Sequence, residues 1–180
     1  MPRVTLIGYR GSGKSAVAAA LAERLGCAWC DADAILERDV GVSIADFVAQ
    51  HGEPGFRDAE TAILDRLLDQ AKGVLATGGG VILREANRQQ LRTRGRPVIW
   101  LSASVDVLRL RLAADPTTAH RRPALGSGDV IEEVAAAVAH REPLYREVAD
   151  SILDTSRESP DRLAERIAIW LEGPRPELIS

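Results

Sequence analysis

The chain has 180 residues, and 23 Lys and Arg against 26 Asp and Glu give a formal net charge of −3. Hydrophobic residues make up 46% and charged residues 27%, which excludes a disordered, collagenous or coiled-coil chain. No stretch approaches the ~20 consecutive apolar residues of a membrane-spanning helix, and the slightly acidic balance argues against non-specific nucleic-acid binding. One domain over residues 1–180 is expected at this length. The two cysteines, Cys27 and Cys30, make no disulfide framework. The apolar run after Met1-Pro2-Arg3 is too short for a signal peptide. A cytoplasmic monomer with no membrane or nucleic-acid partner is expected.

Residues 4–7 are a short apolar run ending at Gly8, as in a buried parallel strand. Residues 14–25 place Val17, Leu21 and Leu25 on one helical stripe, stopped by Gly26. A second strand is predicted over 27–30, then short helices over 33–38 and 43–50 and a longer one over 53–70. Residues 74–76 predict a third strand, 85–94 a helix, 97–101 a fourth strand and 105–113 a helix. The stretch 115–128 is polar and broken by Pro and Gly, so it is a candidate lid. A helix is predicted over 130–145, bent near Pro143, then a fifth strand over 151–154, a helix over 160–172 and a frayed tail over 173–180. Short apolar strands alternating with helices predict an α/β fold, a parallel sheet with helices on both faces. Ligands bind such sheets at the carboxyl ends of the strands.

Gly8-Tyr9-Arg10-Gly11-Ser12-Gly13-Lys14-Ser15 fits G-x-x-x-x-G-K-[ST] between a predicted strand and helix. Such glycines let backbone N–H groups cradle phosphates, the lysine reaches the β- and γ-phosphates, and the Ser15 hydroxyl can ligate Mg²⁺. Asp31 and Asp33 follow the second strand and can face one pocket, one holding Mg²⁺ through water and one accepting a substrate hydroxyl or its proton. Asp33 alone could equally be a helix N-cap. Arg57 and Glu60 share a helix face, either as an exposed ion pair or as an arginine fork held for a substrate carboxylate. Gly78-Gly79-Gly80 at a strand end admits close approach of a ligand to the backbone. Arg121, Arg122 and Arg141 would, on position alone, be solvated charges. The lone C-x-x-C of Cys27 and Cys30 suggests two small buried residues, and His51, His120 and His140 have no metal-ligand spacing.

Taken together, these segments resemble the shikimate kinase family. The resemblance rests on Gly8 to Ser15, Asp31-x-Asp33, Ser43-Ile44-x-Asp46-Phe47, Gly52-Glu53-x-x-Phe56-Arg57-x-x-Glu60, Gly78-Gly79-Gly80, Arg122-Pro123-x-Leu125 and Arg141-x-Pro143-Leu144-Tyr145. It implies a five-stranded, nucleoside-monophosphate-kinase-like P-loop fold with a mobile lid. It also implies Mg²⁺-dependent transfer of the ATP γ-phosphoryl group to the 3-hydroxyl of shikimate, in aromatic amino-acid biosynthesis.

By the resemblance, Gly11, Ser12, Gly13, Lys14, Ser15 and Ala16 hold the ATP phosphates, with Lys14 also catalytic. Ser15, with Asp31 through water, holds Mg²⁺. Asp33, Arg57, Gly78, Gly79, Gly80 and Arg141 contact shikimate, Asp33 also as the catalytic group at the acceptor hydroxyl. Arg122 is the catalytic lid arginine that reaches the phosphates, with Arg121 as its alternative. Arg111 and Arg157 flank the adenine. Ala124 and Leu112 stand where the family usually has Leu and Thr. A kinase of another small hydroxy acid, such as gluconate, and an inactive nucleotide-binding module are the competing readings.

Overall fold

The computed structural model describes residues 1–114 and 130–173, with the side chains of residues 130–132 left aside. The expected lid at 115–128, with Arg121 and Arg122, and the tail beyond residue 173 lie outside the described residues.

Five strands, β1 (Val4–Ile7), β2 (Trp29–Asp31), β3 (Val74–Ala76), β4 (Val98–Ser102) and β5 (Ser151–Asp154), form one sheet in the order β2-β3-β1-β4-β5. Every pairing is parallel; Leu6 lies opposite Ala76 on one side and Ile99 on the other. Among the described residues the intervening helices are α1 (Lys14–Leu25), α2 (Ala32–Val40), α3 (Ile44–Gln70), α4 (Glu85–Arg94), α5 (Val105–Ala114), α6 (Val130–Val148) and α7 (Pro160–Glu172), with a 3-10 turn at Val81–Leu83.

Strand periodicity builds the two faces, because successive side chains point to opposite sides. Val4, Leu6, Val74, Ala76, Ile99, Leu101 and Leu153 pack with Val17 and Leu21 of α1 and Leu163 and Ile167 of α7. The alternate residues Ile7, Leu75, Val98 and Trp100 pack with Leu64 and Leu68 of α3, Leu91 of α4 and Tyr145 and Val148 of α6. Each such aliphatic side chain contributes roughly 1.5–3 kcal/mol by leaving water. The sheet is therefore a stiff floor, and its carboxyl edge carries the loops that follow β1, β2, β3 and β5.

Several boundaries differ from the sequence reading. The predicted helices at 43–50 and 53–70 join into α3, broken at Gly52, whose backbone is non-helical at φ 71° and ψ 171°. Pro54 falls in the first turn after that break, where its missing N–H leaves no intrahelical bond unmade. Helix α6 continues through Pro143 to Val148, three residues past its predicted end. β2 begins at Trp29, later than predicted, and both cysteines are free and only partly buried rather than interior. β2 is an edge strand, so it has sheet on one side only, and Trp29 is itself exposed.

Candidate active site

The loop between β1 and α1 is the phosphate side of the site. Gly11 and Gly13 sit at φ 79° and 90°, a backbone region that L side chains rarely adopt. Gly13 precedes α1 and supplies no side-chain cap, so the first-turn N–H groups of α1 remain available to an anion. The Lys14 ammonium donates to the carbonyls of Gly8 and Tyr9, both at 2.9 Å, which folds it over the loop. Desolvation lowers its pKa to about 8, against the pull of the Asp33 and Asp31 carboxylates, which favour the charged form.

The Ser15 hydroxyl donates to Asp31 Oδ2 at 2.5 Å. Asp31 Oδ1 accepts from the N–H groups of Asp33 and Ala34, so Asp31 is the N-cap of α2. This corrects the sequence alternative in which Asp33 was the cap; Asp33 lies two residues farther on, inside the first turn.

The acceptor side converges on the three glycines after β3. A Cβ at Gly78 would stand 2.6 Å from Asp33 Oδ1 and 2.8 Å from Glu60 Oε1. One at Gly79 would stand 2.9 Å from the backbone nitrogen of Arg10 in the phosphate loop, and one at Gly80 would collide with the Arg57 guanidinium. The three glycines thus let α2, α3 and the phosphate loop close in, and Asp33, Arg57, Glu60 and the phosphate loop meet at one strand end.

Arg57 is buried, 5% exposed, and is not the exposed helix pair that its spacing alone would suggest. Its Nε and Nη2 donate to Glu53 Oε1 at 3.1 and 2.7 Å, and Nη1 donates to Glu60 Oε2 at 2.6 Å. Guanidinium carries five N–H donors. These bonds engage one on Nε and one on each Nη, leaving one donor on each Nη. Both carboxylates raise the Arg57 pKa against the opposing effect of burial.

Arg141 comes from α6. Its Nη1 donates to the Gly79 carbonyl at 3.3 Å, and its guanidinium lies over the Tyr9 ring, 5.1 Å from the centroid. Tyr145, one turn on, donates its hydroxyl to that same carbonyl at 2.6 Å. The structure thus places Arg57, Arg141, Asp33 and Gly78 to Gly80 around one end of β3, beside the phosphate loop. The Ala16 position at the start of α1 is exposed.

On the far side of the phosphate loop, Arg111 Nη1 donates to Gly11 O at 3.3 Å and to Thr155 Oγ1 at 3.0 Å, and its Nη2 donates to Thr155 O at 2.5 Å. The buried Thr155 hydroxyl lies 3.0 Å from Ser12 O and 3.1 Å from Ser102 O, joining the phosphate loop to the ends of β4 and β5. Arg157 is exposed in the loop after β5. Sequence reasoning gave no role to Thr155 or Tyr145. Tyr145 lies in the Arg141-x-Pro143-Leu144-Tyr145 segment, but nothing in its spacing points to a carbonyl 66 residues away.

The shikimate kinase family model matches residues 10–172. A shikimate kinase of Rhodopirellula baltica is 46% identical over 162 residues, covering 90% of this chain and 86% of that one. The structure of a shikimate kinase from Acinetobacter baumannii in complex with shikimate superposes with a TM-score of 0.86 at 35% identity, over 94% of this chain and 92% of that one. A gluconokinase from Sinorhizobium meliloti, with a TM-score of 0.54 at 19% identity over 94% of this chain and 90% of that one, shares the fold alone. The chain belongs to the shikimate kinase family.

Proposed function

We propose that this chain transfers the γ-phosphoryl group of ATP to the 3-hydroxyl of shikimate, yielding shikimate 3-phosphate and ADP. The observation that carries the reading is the meeting of Asp33, Glu60 and Arg57 on Gly78 and Gly80, with Gly79 against the phosphate loop. A small hydroxylated acid seated there would lie beside the phosphate donor.

Phosphoryl transfer requires two anionic reactants held in line and the transferring charge stabilised. The first turn of α1 and Lys14 supply positive field on the donor side. Lys14 would exchange the Gly8 and Tyr9 carbonyls for phosphate oxygens. On the acceptor side, the remaining donors of Arg57 together with Arg141 would clamp the carboxylate. A neutral sugar cannot satisfy such a clamp. Asp33 orients the acceptor hydroxyl and takes its proton as the oxygen attacks. Arg122 as lid arginine, and Arg111 and Arg157 at the adenine, rest on the resemblance.

Ser15 Oγ at the start of α1 and Asp31 Oδ2 at the end of β2, 2.5 Å apart, are hard oxygen donors of the kind Mg²⁺ takes. They would hold the ion, Asp31 through water, and when bound it would neutralise charge on the β- and γ-phosphates.

A coupled ADP-release assay tests this reading, with shikimate, gluconate or no acceptor. Release with shikimate alone is expected. Equal or faster release with gluconate would favour the alternative acid, and no release with either would leave a nucleotide-binding module.

A further inference from the structure

We propose that Tyr145 is a positioning residue for the acceptor half of the site, holding the Gly79–Gly80 peptide in the orientation that the acid requires. The inference rests on the shikimate reading above and deepens it. The Tyr145 ring is 2% exposed and stacks on Trp100 of β4 at 5.4 Å and 15°, so the sheet floor sets its place. Its hydroxyl donates to Gly79 O at 2.6 Å. Burial pushes the phenol far above its ordinary range, so it remains a donor at any working pH.

A peptide between two glycines has no side chain to resist a flip. A trans peptide directs its C=O and N–H oppositely. Fixing Gly79 O on Tyr145 therefore aims the Gly80 N–H away from Tyr145, and it also fixes Gly80 against the Arg57 guanidinium, where no Cβ fits. Arg141 shares the acceptor, but at 3.3 Å. With the Tyr145 hydroxyl satisfying that carbonyl, Arg141 can turn its donors to a carboxylate without leaving Gly79 O unpaired.

The test is Tyr145→Phe, which keeps the ring and its stacking, beside Val148→Ala, which loosens the same core cluster but leaves the hydroxyl. Shikimate Kd by calorimetry and KM in turnover should rise about 3- to 10-fold in Tyr145→Phe, the range of one neutral hydrogen bond. KM for ATP should stay within about twofold, and the ¹³C resonance of a labelled Gly79 carbonyl should move. Val148→Ala should lower the melting temperature without moving that resonance or the shikimate KM. Should Tyr145→Phe fail to fold, a downfield, slowly exchanging Tyr145 hydroxyl proton in the wild-type protein with a cross-peak to labelled Gly79 reports the same hydrogen bond. An unmoved Gly79 resonance, or no such hydroxyl proton, overturns the proposal whatever the protein binds. A moved resonance with unchanged shikimate affinity, or equal losses for both substrates, also overturns it. Wild-type protein that binds no shikimate refutes the underlying reading and the acceptor role with it, while the Gly79 resonance still decides whether the hydrogen bond exists.

Discussion

The two halves of the site are built in opposite ways. The phosphate half is contiguous: Gly8 to Ser15 is one loop and one helix start, and its ligand groups are largely backbone N–H. The acceptor half is assembled from four separate segments. Asp33 comes from α2, Arg57 and Glu60 from α3, Gly78 to Gly80 from the end of β3, and Arg141 and Tyr145 from α6. A backbone cradle serves any phosphate, whereas converging side chains discriminate among acids. The first half therefore accounts for nucleotide use and the second for acceptor choice, and substitutions should separate them.

The largest separation is expected at Asp33. Asp33→Asn keeps the shape but removes the base, a loss typically of ~10²–10⁴ in rate. Steady-state turnover should fall by that factor while ATP affinity persists; near wild-type kcat would leave Asp33 without a catalytic role. Next comes Arg57→Ala, which leaves a carboxylate half paired at a cost of about 2–5 kcal/mol, or roughly 30- to 4,000-fold in affinity. Calorimetry should show shikimate binding weakened by that factor with ATP titrations unchanged.

Adjacent glycines give a finer cut. Gly80→Ala drives a Cβ into the Arg57 guanidinium, and Gly79→Ala drives one to 2.9 Å from Arg10 N. The first should raise the shikimate KM by about tenfold, an effect of ~1.4 kcal/mol. The second presses on the phosphate loop as well and should raise the ATP KM too. Paired Michaelis curves check this, and identical profiles would merge the two halves.

A pH titration follows from Lys14. Its pKa, lowered to about 8, means that the free protein loses the ammonium as pH rises through that value. The protonated form is the one that attracts phosphate. ATP affinity should therefore fall above about pH 8, by up to about tenfold per pH unit, with proton uptake on binding. Calorimetry in buffers of different ionisation enthalpy measures both, and the shikimate affinity should lack this slope.

The smallest effect is expected at Thr155. Thr155→Val removes the hydroxyl that joins the phosphate loop to β4 and receives Arg111. One such bond is worth about 0.5–1.5 kcal/mol, so the ATP KM should rise a few-fold. Thr155→Ser should restore it.

The contrast between the halves also explains what could be read from sequence. Gly8 to Ser15 was legible because its physics is local: glycines for the turn, a lysine and a hydroxyl at fixed offsets. The strands were legible from apolar runs. Arg57 was harder, because three-residue spacing suits an exposed pair as well as a buried one; Glu53 and the closure of Gly80 over the guanidinium decide the matter in three dimensions. Asp31 and Asp33 could each cap α2, and only the backbone path shows that Asp31 takes that place. Tyr145 and Thr155 act on carbonyls 66 and 143 residues away, a relation that no spacing rule encodes. Cys30 was misjudged because sequence does not tell an edge strand from a central one, and Cys27 falls in the turn before that strand.

In the proposed reaction the phosphoryl group goes to the 3-hydroxyl of shikimate. Phosphorus-31 NMR of the products formed from ATP and shikimate tests it most directly. One new phosphomonoester resonance, coupled to the proton on carbon 3 of the ring, should appear in step with ADP. Inorganic phosphate in place of that resonance, or coupling to a different ring proton, would contradict it.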